Sequence, residues 1–228
     1  KVAVTGALNL GANVTLDFSE LSGGATELAY VIAKYTTLTG TFTTVTDLPA
    51  GYTLDYAYND GVDSNNIAIT RTATAAENWA LANGLTIGAA GNGLLSIDTN
   101  GDGKTNAYHF AFNTNPLGDG SNEGKQRASI TTTGSSTEHL TLTIPVRNGA
   151  TFSGAGASPT LTVDGIIYTI HGDEELLGTN SLAIAELTPA LASGLPALDS
   201  SYSYRTFYLQ DDKSTKTKGF LTVEVSEE

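Results

Sequence analysis

Apolar residues recur at every second position over short stretches of this chain, the spacing expected of strands that bury one face. Val2, Val4, Leu8 and Leu10 open the series and point to a regular stack. The runs ELAYVIAKY, TGTFTTV, YTLDYAY and NNIAIT continue it to about Arg71. Each is rich in Val, Ile, Leu, Thr and Tyr and stops at turn residues, among them Gly23-Gly24, Leu48-Pro49-Ala50-Gly51 and Asn59-Asp60-Gly61. Residues 1–71 are therefore predicted as strands without a helix. Because the chain opens inside a strand pattern, Lys1 is not expected to mark a natural domain start. No strict repeat period emerges, although LTG, NGL and TLD recur.

The periodicity changes over residues 72–117. TAAENWALANGL carries helix formers after Thr74, a candidate N-cap whose capping-box partner is Glu77. This predicts a short helix containing the one tryptophan, Trp79, read as a core anchor wedged between two domains. A glycine-rich stretch and the loop DTNGDG follow. In TNAYHFAF the spacing of Ala107, Phe110 and Ala111 suits one packed face of a second helix that ends before Asn115-Pro116. From Gly118 to Glu228 strand runs return, with turns every ten to fifteen residues, the pattern of a β-sandwich. Asp164-Gly165 between apolar runs predicts a hairpin with a type I′ turn.

Composition narrows the function. The chain has 228 residues, 11 Lys plus Arg against 24 Asp plus Glu, and a formal net charge of −13. Such a surface repels nucleic acid and anionic membranes and attracts divalent cations. With no cysteine there is no thiolate catalysis, disulfide or Cys-ligated metal. Methionine is also absent, even at position 1, so the chain is expected to begin after processing or within a longer polypeptide. No apolar run approaches the ~20 residues that span a bilayer, so no direct membrane span is predicted.

The sharpest candidate chemistry lies in Asp98-Thr99-Asn100-Gly101-Asp102-Gly103-Lys104-Thr105-Asn106. Oxygen side chains fall at alternate positions and a glycine permits the sharp turn. Calcium takes six to eight hard oxygen ligands, and such a loop would deliver the side chains of Asp98, Asn100 and Asp102, the Lys104 carbonyl, and Asn106 directly or through water. At the twelfth position, where an EF-hand loop carries a bidentate glutamate, stands His109. Asp119 or Glu123 are the nearby substitutes for that carboxylate, with water as the alternative. A plain polar turn is the competing reading, because Asp, Asn and Gly populate turns for their own reasons. Calcium is favoured because spaced ligands, glycine and a following apolar helix coincide.

Ala29–Thr70, with its AKY, LTGTF, LPAGY and LDY elements, resembles the closing segment of bacterial autotransporter-associated β-strand repeat proteins, common in Verrucomicrobia and Planctomycetes. Asn78–Pro116 is similar to the linker that follows in those proteins, itself like dockerin and thrombospondin type 3 calcium repeats. Here His109 replaces the usual Glu and Asn115 the usual Asp. The resemblance implies a mainly β chain: terminal coils of a β-solenoid over residues 1–71, a helix–calcium loop–helix linker over 72–117, and a C-terminal β-sandwich over 118–228. It also implies a large extracellular protein of the bacterial cell surface, structural or adhesive.

Other chemistry weighs less. His109, His139 and His171 are scattered, and His171 beside Gly172-Asp173-Glu174-Glu175 suits a solvated acidic loop better than an acid–base cluster. Neither a GxSxG elbow nor an HExxH pair occurs, so no enzyme is expected. Tyr52, Tyr56 and Tyr58, and Tyr202, Tyr204 and Tyr208, alternate along strands. Exposed, they would form a sugar platform, which makes a lectin-like carbohydrate-binding module the alternative function; buried, they are packing, which is favoured. Asn13-Val14-Thr15 and the Thr-rich faces are candidate glycan sites. The leading expectation is self-association into a fibre or layer through an open strand edge.

Overall fold

The computed structural model describes residues 2–18, 25–118, 124–133, 137–153, 156, 158–175, 181–211, 214 and 218–228. Gly23-Gly24, Asp119 and Glu123 lie outside these. The chain is mainly β, and among the described residues there are several sheets, none closed, and two short helices. It divides into two compact units, one of Lys1–Thr74 with Thr86–Gly91, the other of Ala75–Leu85 with Asn92–Glu228.

In the first unit the strands are β1 (Val2–Ala3), β2 (Ala7–Asn9), β3 (Thr15–Asp17), β4 (Ala29–Lys34), β5 (Thr37–Thr39), β6 (Thr44–Thr46), β7 (Thr53–Tyr58) and β8 (Asn66–Thr70). The first three pair in parallel with the next three in the same order: β1 with β4, β2 with β5 and β3 with β6. Val2 faces Ala33, Ala7 faces Thr37 and Thr15 faces Thr44, so the partners lie about thirty positions apart. The hairpin of β7 and β8 then turns antiparallel onto the second edge of β4, giving the order β1-β4-β8-β7.

This unit packs around Leu10, Ala33 and Ile67, with Leu8, Val14, Ile32, Tyr35, Leu38, Phe42, Leu54 and Tyr56 against them. Gly40, at φ +85, passes directly over the backbone of Leu10, where a Cβ would stand 2.3 Å from the Leu10 carbonyl oxygen. Only glycine fits that approach. Lys34, on β4, meets the 59–63 turn with its Nζ 2.5 Å from Asp60 Oδ2 and 3.3 Å from Asp63 Oδ2. Of the two readings for the tyrosine rows, packing is the one that Tyr52 and Tyr56 follow. Tyr52 is buried and donates to the Glu27 carbonyl, and the Tyr56 hydroxyl accepts the Phe42 N–H at 3.0 Å.

In the second unit come α1 (Ala75–Ala82), α2 (Asn106–Phe112), β9 (Arg127–Thr133), β10 (Thr137–Arg147), β11 (Thr160–Val163), β12 (Ile166–Asp173), β13 (Ile184–Leu187), β14 (Tyr202–Leu209) and β15 (Phe220–Glu227). They form two antiparallel sheets, β13-β14-β10-β9 and β11-β12-β15. Leu142, Ile144, Val146, Ile184, Phe207 and Leu209 from the first share one core with Leu161, Ile166, Tyr168 and Ile170 from the second. Asp164 and Gly165, at φ 53 and 81, turn β11 into β12, the type I′ geometry that the Asp-Gly pair predicted.

Both predicted helices form, but their setting departs from expectation. The segment read as a linker belongs to the core of this unit: Ala107, Phe110, Ala111 and Phe112 are part of it, and Ala75, Ala76, Trp79 and Leu95 pack against it. Instead of one packed face, α2 is enclosed nearly all round, with Asn106, Ala107, His109, Phe110, Ala111 and Phe112 buried. A seven-residue helix cannot stand alone in water, and tertiary burial supplies its stability. Trp79 contributes within this unit, its ring 5.4 Å from that of Phe110 and tilted by 55°.

Candidate calcium loop

The loop that leads into α2 is built on its own side chains. Asp98 accepts the Gly101 N–H through Oδ1 at 2.7 Å and the Gly103 N–H through Oδ2 at 2.8 Å. Asn100 Oδ1 accepts the Asp102 N–H at 3.1 Å, and Asp102 Oδ1 accepts the Lys104 N–H at 2.8 Å. Gly101 and Gly103 take φ +76 and +85, which lets the chain coil around Asp98. Asn100 also donates from Nδ2 to the Gly118 carbonyl at 3.1 Å, tying the loop to the segment beyond α2.

The predicted ligand Asn106 has a further role that sequence reading missed. It is fully buried at the first position of α2, and its Nδ2 donates to the carbonyls of Asn92 at 2.8 Å and Leu94 at 2.9 Å. Its Oδ1 accepts the Thr99 hydroxyl at 3.1 Å, and Thr99 also donates to the Asn92 carbonyl. Asn106 therefore clamps the arc from Asn92 to Thr99. Its oxygen keeps a second lone pair. The signal was its place beside a helix start, where amide side chains serve the backbone.

At the twelfth position His109 is buried, with Nδ1 2.8 Å from Thr114 Oγ1 and Nε2 3.8 Å from Asp102 Oδ1. Burial works against the charge of Asp102, but the Lys104 N–H, His109 and the Lys104 ammonium outweigh it and hold the carboxyl below its usual range. Asp102 is thus a firm anion. Among the described residues no three His, Asp or Glu side chains gather as a metal-holding group. The predicted donors would be two carboxylates, two amide oxygens and a backbone carbonyl, all hard oxygens, a set suited to calcium and unsuited to softer transition metals.

The other histidines lie apart. His139, buried on β10, places Nδ1 2.7 Å from the Leu209 carbonyl, and His171, on β12, has Nε2 3.2 Å from Glu224 Oε2. The predicted acidic loop after His171 begins later than expected, since Gly172 and Asp173 are still in the strand. Beside the end of α2, a cleft of about 210 Å³ is lined by Trp79, Asn83, Asn113, Thr114, Asn115 and Asp199. No family model, curated protein or solved structure matches this chain.

Proposed function

We propose that this protein is an extracellular structural or adhesive component of a bacterial cell surface, part of a fibre or layer, stabilised by calcium at the Asp98–Asn106 loop. The observation that carries the reading is the ordered parallel pairing of β1, β2 and β3 with β4, β5 and β6. Two successive passes of the chain stacked strand on strand are the arrangement of solenoid coils, and among the described strands the outer edges of β1, β2 and β3 are unpaired. Open edges of this kind pair with strands of another chain. The far edge of β4 is taken by β8, while β5 and β6, like β2 and β3, pair with no further described strand.

In this reading the two sheets of the second unit form a β-sandwich, and the loop ahead of α2 holds calcium through Asp98, Asn100, Asp102, the Lys104 carbonyl and Asn106. The net charge of −13 favours a divalent cation and disfavours nucleic acid. Among the described residues no helix is long and apolar enough to cross a membrane. Negative-stain imaging in calcium and after chelation tests the proposal: filaments or sheets in calcium support it, and dispersed particles in both conditions oppose it.

A second reading is carbohydrate binding. It draws support from the cleft lined by Asn83, Asn113, Asn115 and Asp199, whose amide and carboxylate groups can hydrogen-bond sugar hydroxyls. Binding on a glycan array that disappears in Asn115→Ala would favour it, and an array without hits would remove it.

A further inference from the structure

The two sheets of the second unit differ by one strand, and the difference exposes an apolar row. Gly156, on the way into β11, bridges to Ile184 of β13, and β15 packs on β10. With the orders β13-β14-β10-β9 and β11-β12-β15, the outermost β9 is left without a strand opposite it. In the register of β9 and β10, Ala128 faces Leu142 and Ile130 faces Leu140, so these four side chains share the side of the sheet that carries the core. Leu142, under the second sheet, is 6% exposed, whereas Ile130 in the neighbouring row is 50% exposed.

The facing edge is also open. Among the described strands β15 pairs only with β12, and α2 packs against β15 and β10, so the part of its other edge that α2 leaves uncovered carries unpaired strand backbone. Its inward row is Leu221, Val223 and Val225, packed against the core, and its outward row is Thr222, Glu224 and Ser226. Strands lie about 4.8 Å apart and packed sheets about 10 Å, so one added strand beside β15 would lie over Ile130.

We propose that this slot takes an extended segment of a partner protein in which apolar and basic residues alternate. Alternation with period two turns every second side chain inward, where Ile130 and the inward row of β15 call for apolar groups. The intervening residues point outward beside Glu224, an exposed carboxylate that also stands 3.2 Å from His171 Nε2. A second copy is disfavoured as occupant because each copy carries a net charge of −13. The backbone of β15 supplies the hydrogen bonds, as in other cases of strand addition. The proposal rests on the strand orders of the second unit and is independent of the calcium loop.

The test uses three acetylated, amidated octapeptides against the full chain: alternating Val-Lys, a block-ordered Val-Val-Lys-Lys peptide of the same composition, and alternating Val-Glu. The expected result is binding of the alternating Val-Lys peptide with slowed amide exchange over residues 221–225. Ile130→Lys should weaken that binding about tenfold, the factor supplied by covering the exposed half of an isoleucine. Ile130→Thr, which keeps strand propensity, should weaken it less. Equal binding of the block-ordered peptide, unchanged binding by Ile130→Lys, or no binding would each overturn the proposal. A dimer of the chain abolished by Ile130→Lys would overturn it in favour of a second copy.

Discussion

Tyr202 on β14 donates its hydroxyl hydrogen to the carbonyl of Phe110 in the last turn of α2, at 2.6 Å across 92 positions of the chain. Tyr168 on β12 does the same for the Ala111 carbonyl at 2.6 Å. The last carbonyls of a helix have no partner within it, so two sheets satisfy what α2 cannot. Arg147 joins them: its Nη1 donates to the Tyr202 hydroxyl at 2.9 Å, its backbone N–H to the Tyr168 hydroxyl at 3.2 Å, and its guanidinium stacks 4.1 Å from the Phe110 ring. Asp164 holds the same guanidinium at 2.7 Å.

Tyr168→Phe and Tyr202→Phe should each lower the stability of the second unit by about 1–3 kcal/mol, because each leaves a buried helix carbonyl unsatisfied. Denaturant melts followed by near-ultraviolet circular dichroism check this. Burial raises the hydroxyl pKa of Tyr168 and of Tyr202 above the usual tyrosine value. A raised folded-state pKa stabilises below the unfolded value and loses that contribution as pH rises past it, so the unit should weaken above about pH 10, and less steeply in the double Phe variant.

Gly40→Ala should destabilise the first unit by at least about 2 kcal/mol. The backbone stands at φ +85 and the new Cβ would strike the Leu10 carbonyl, so strain and collision add. Gly51→Ala, at φ +81 but with open space around it, isolates the strain and should cost less. Comparing the two melting curves separates the effects.

The pairing of Lys34 with Asp60 predicts an acid limit for the first unit. The Lys34 hydrogen bond, followed by the N–H groups of Asp63 and Val62, holds the Asp60 carboxyl well below its ordinary range. A depressed folded-state pKa stabilises above the unfolded value, about 4, and the contribution is lost as pH falls below it. Stability between pH 2 and 6, followed by amide exchange over β4 and β8, should show a loss that Asp60→Asn largely removes. An identical profile in that variant would place the acid sensitivity elsewhere.

Calcium should bind the loop and raise the melting temperature. At a hundredfold excess over its dissociation constant a ligand adds about 2.7 kcal/mol to the stability of the state it binds. Asp98→Ala confounds two effects, since the carboxylate also accepts the Gly101 and Gly103 N–H groups. Asp102→Asn is cleaner: it keeps an oxygen for the Lys104 N–H and removes one anionic ligand. Titration calorimetry should give weaker binding in that variant, and no heat in the parent chain would remove the site.

Strand positions were legible where period-two alternation is strong. RASITTT, HLTLTIPV and SYRTFYLQ appear as β9, β10 and β14, and the turn at Asp164-Gly165 follows from its two residues. The parallel stacking of the first unit was not legible as a repeat. Its partners are Val2 with Ala33, Ala7 with Thr37 and Thr15 with Thr44, so the offset shortens by one residue from each pair to the next and no fixed period exists to detect. The enclosure of α2 was also hidden, because burial of Asn106 and His109 depends on the Asn92 and Leu94 carbonyls and on Thr114, partners that local pattern does not reveal. In the loop the alternating oxygens were plain, while the second role of Asn106 needed the fold.

Sedimentation velocity of the chain at increasing protein concentration, with calcium and then with excess chelator, tests the proposed calcium-dependent assembly most directly. Large species in calcium that dissociate when the ion is removed are expected. A single monomeric boundary in both conditions at every concentration would contradict it.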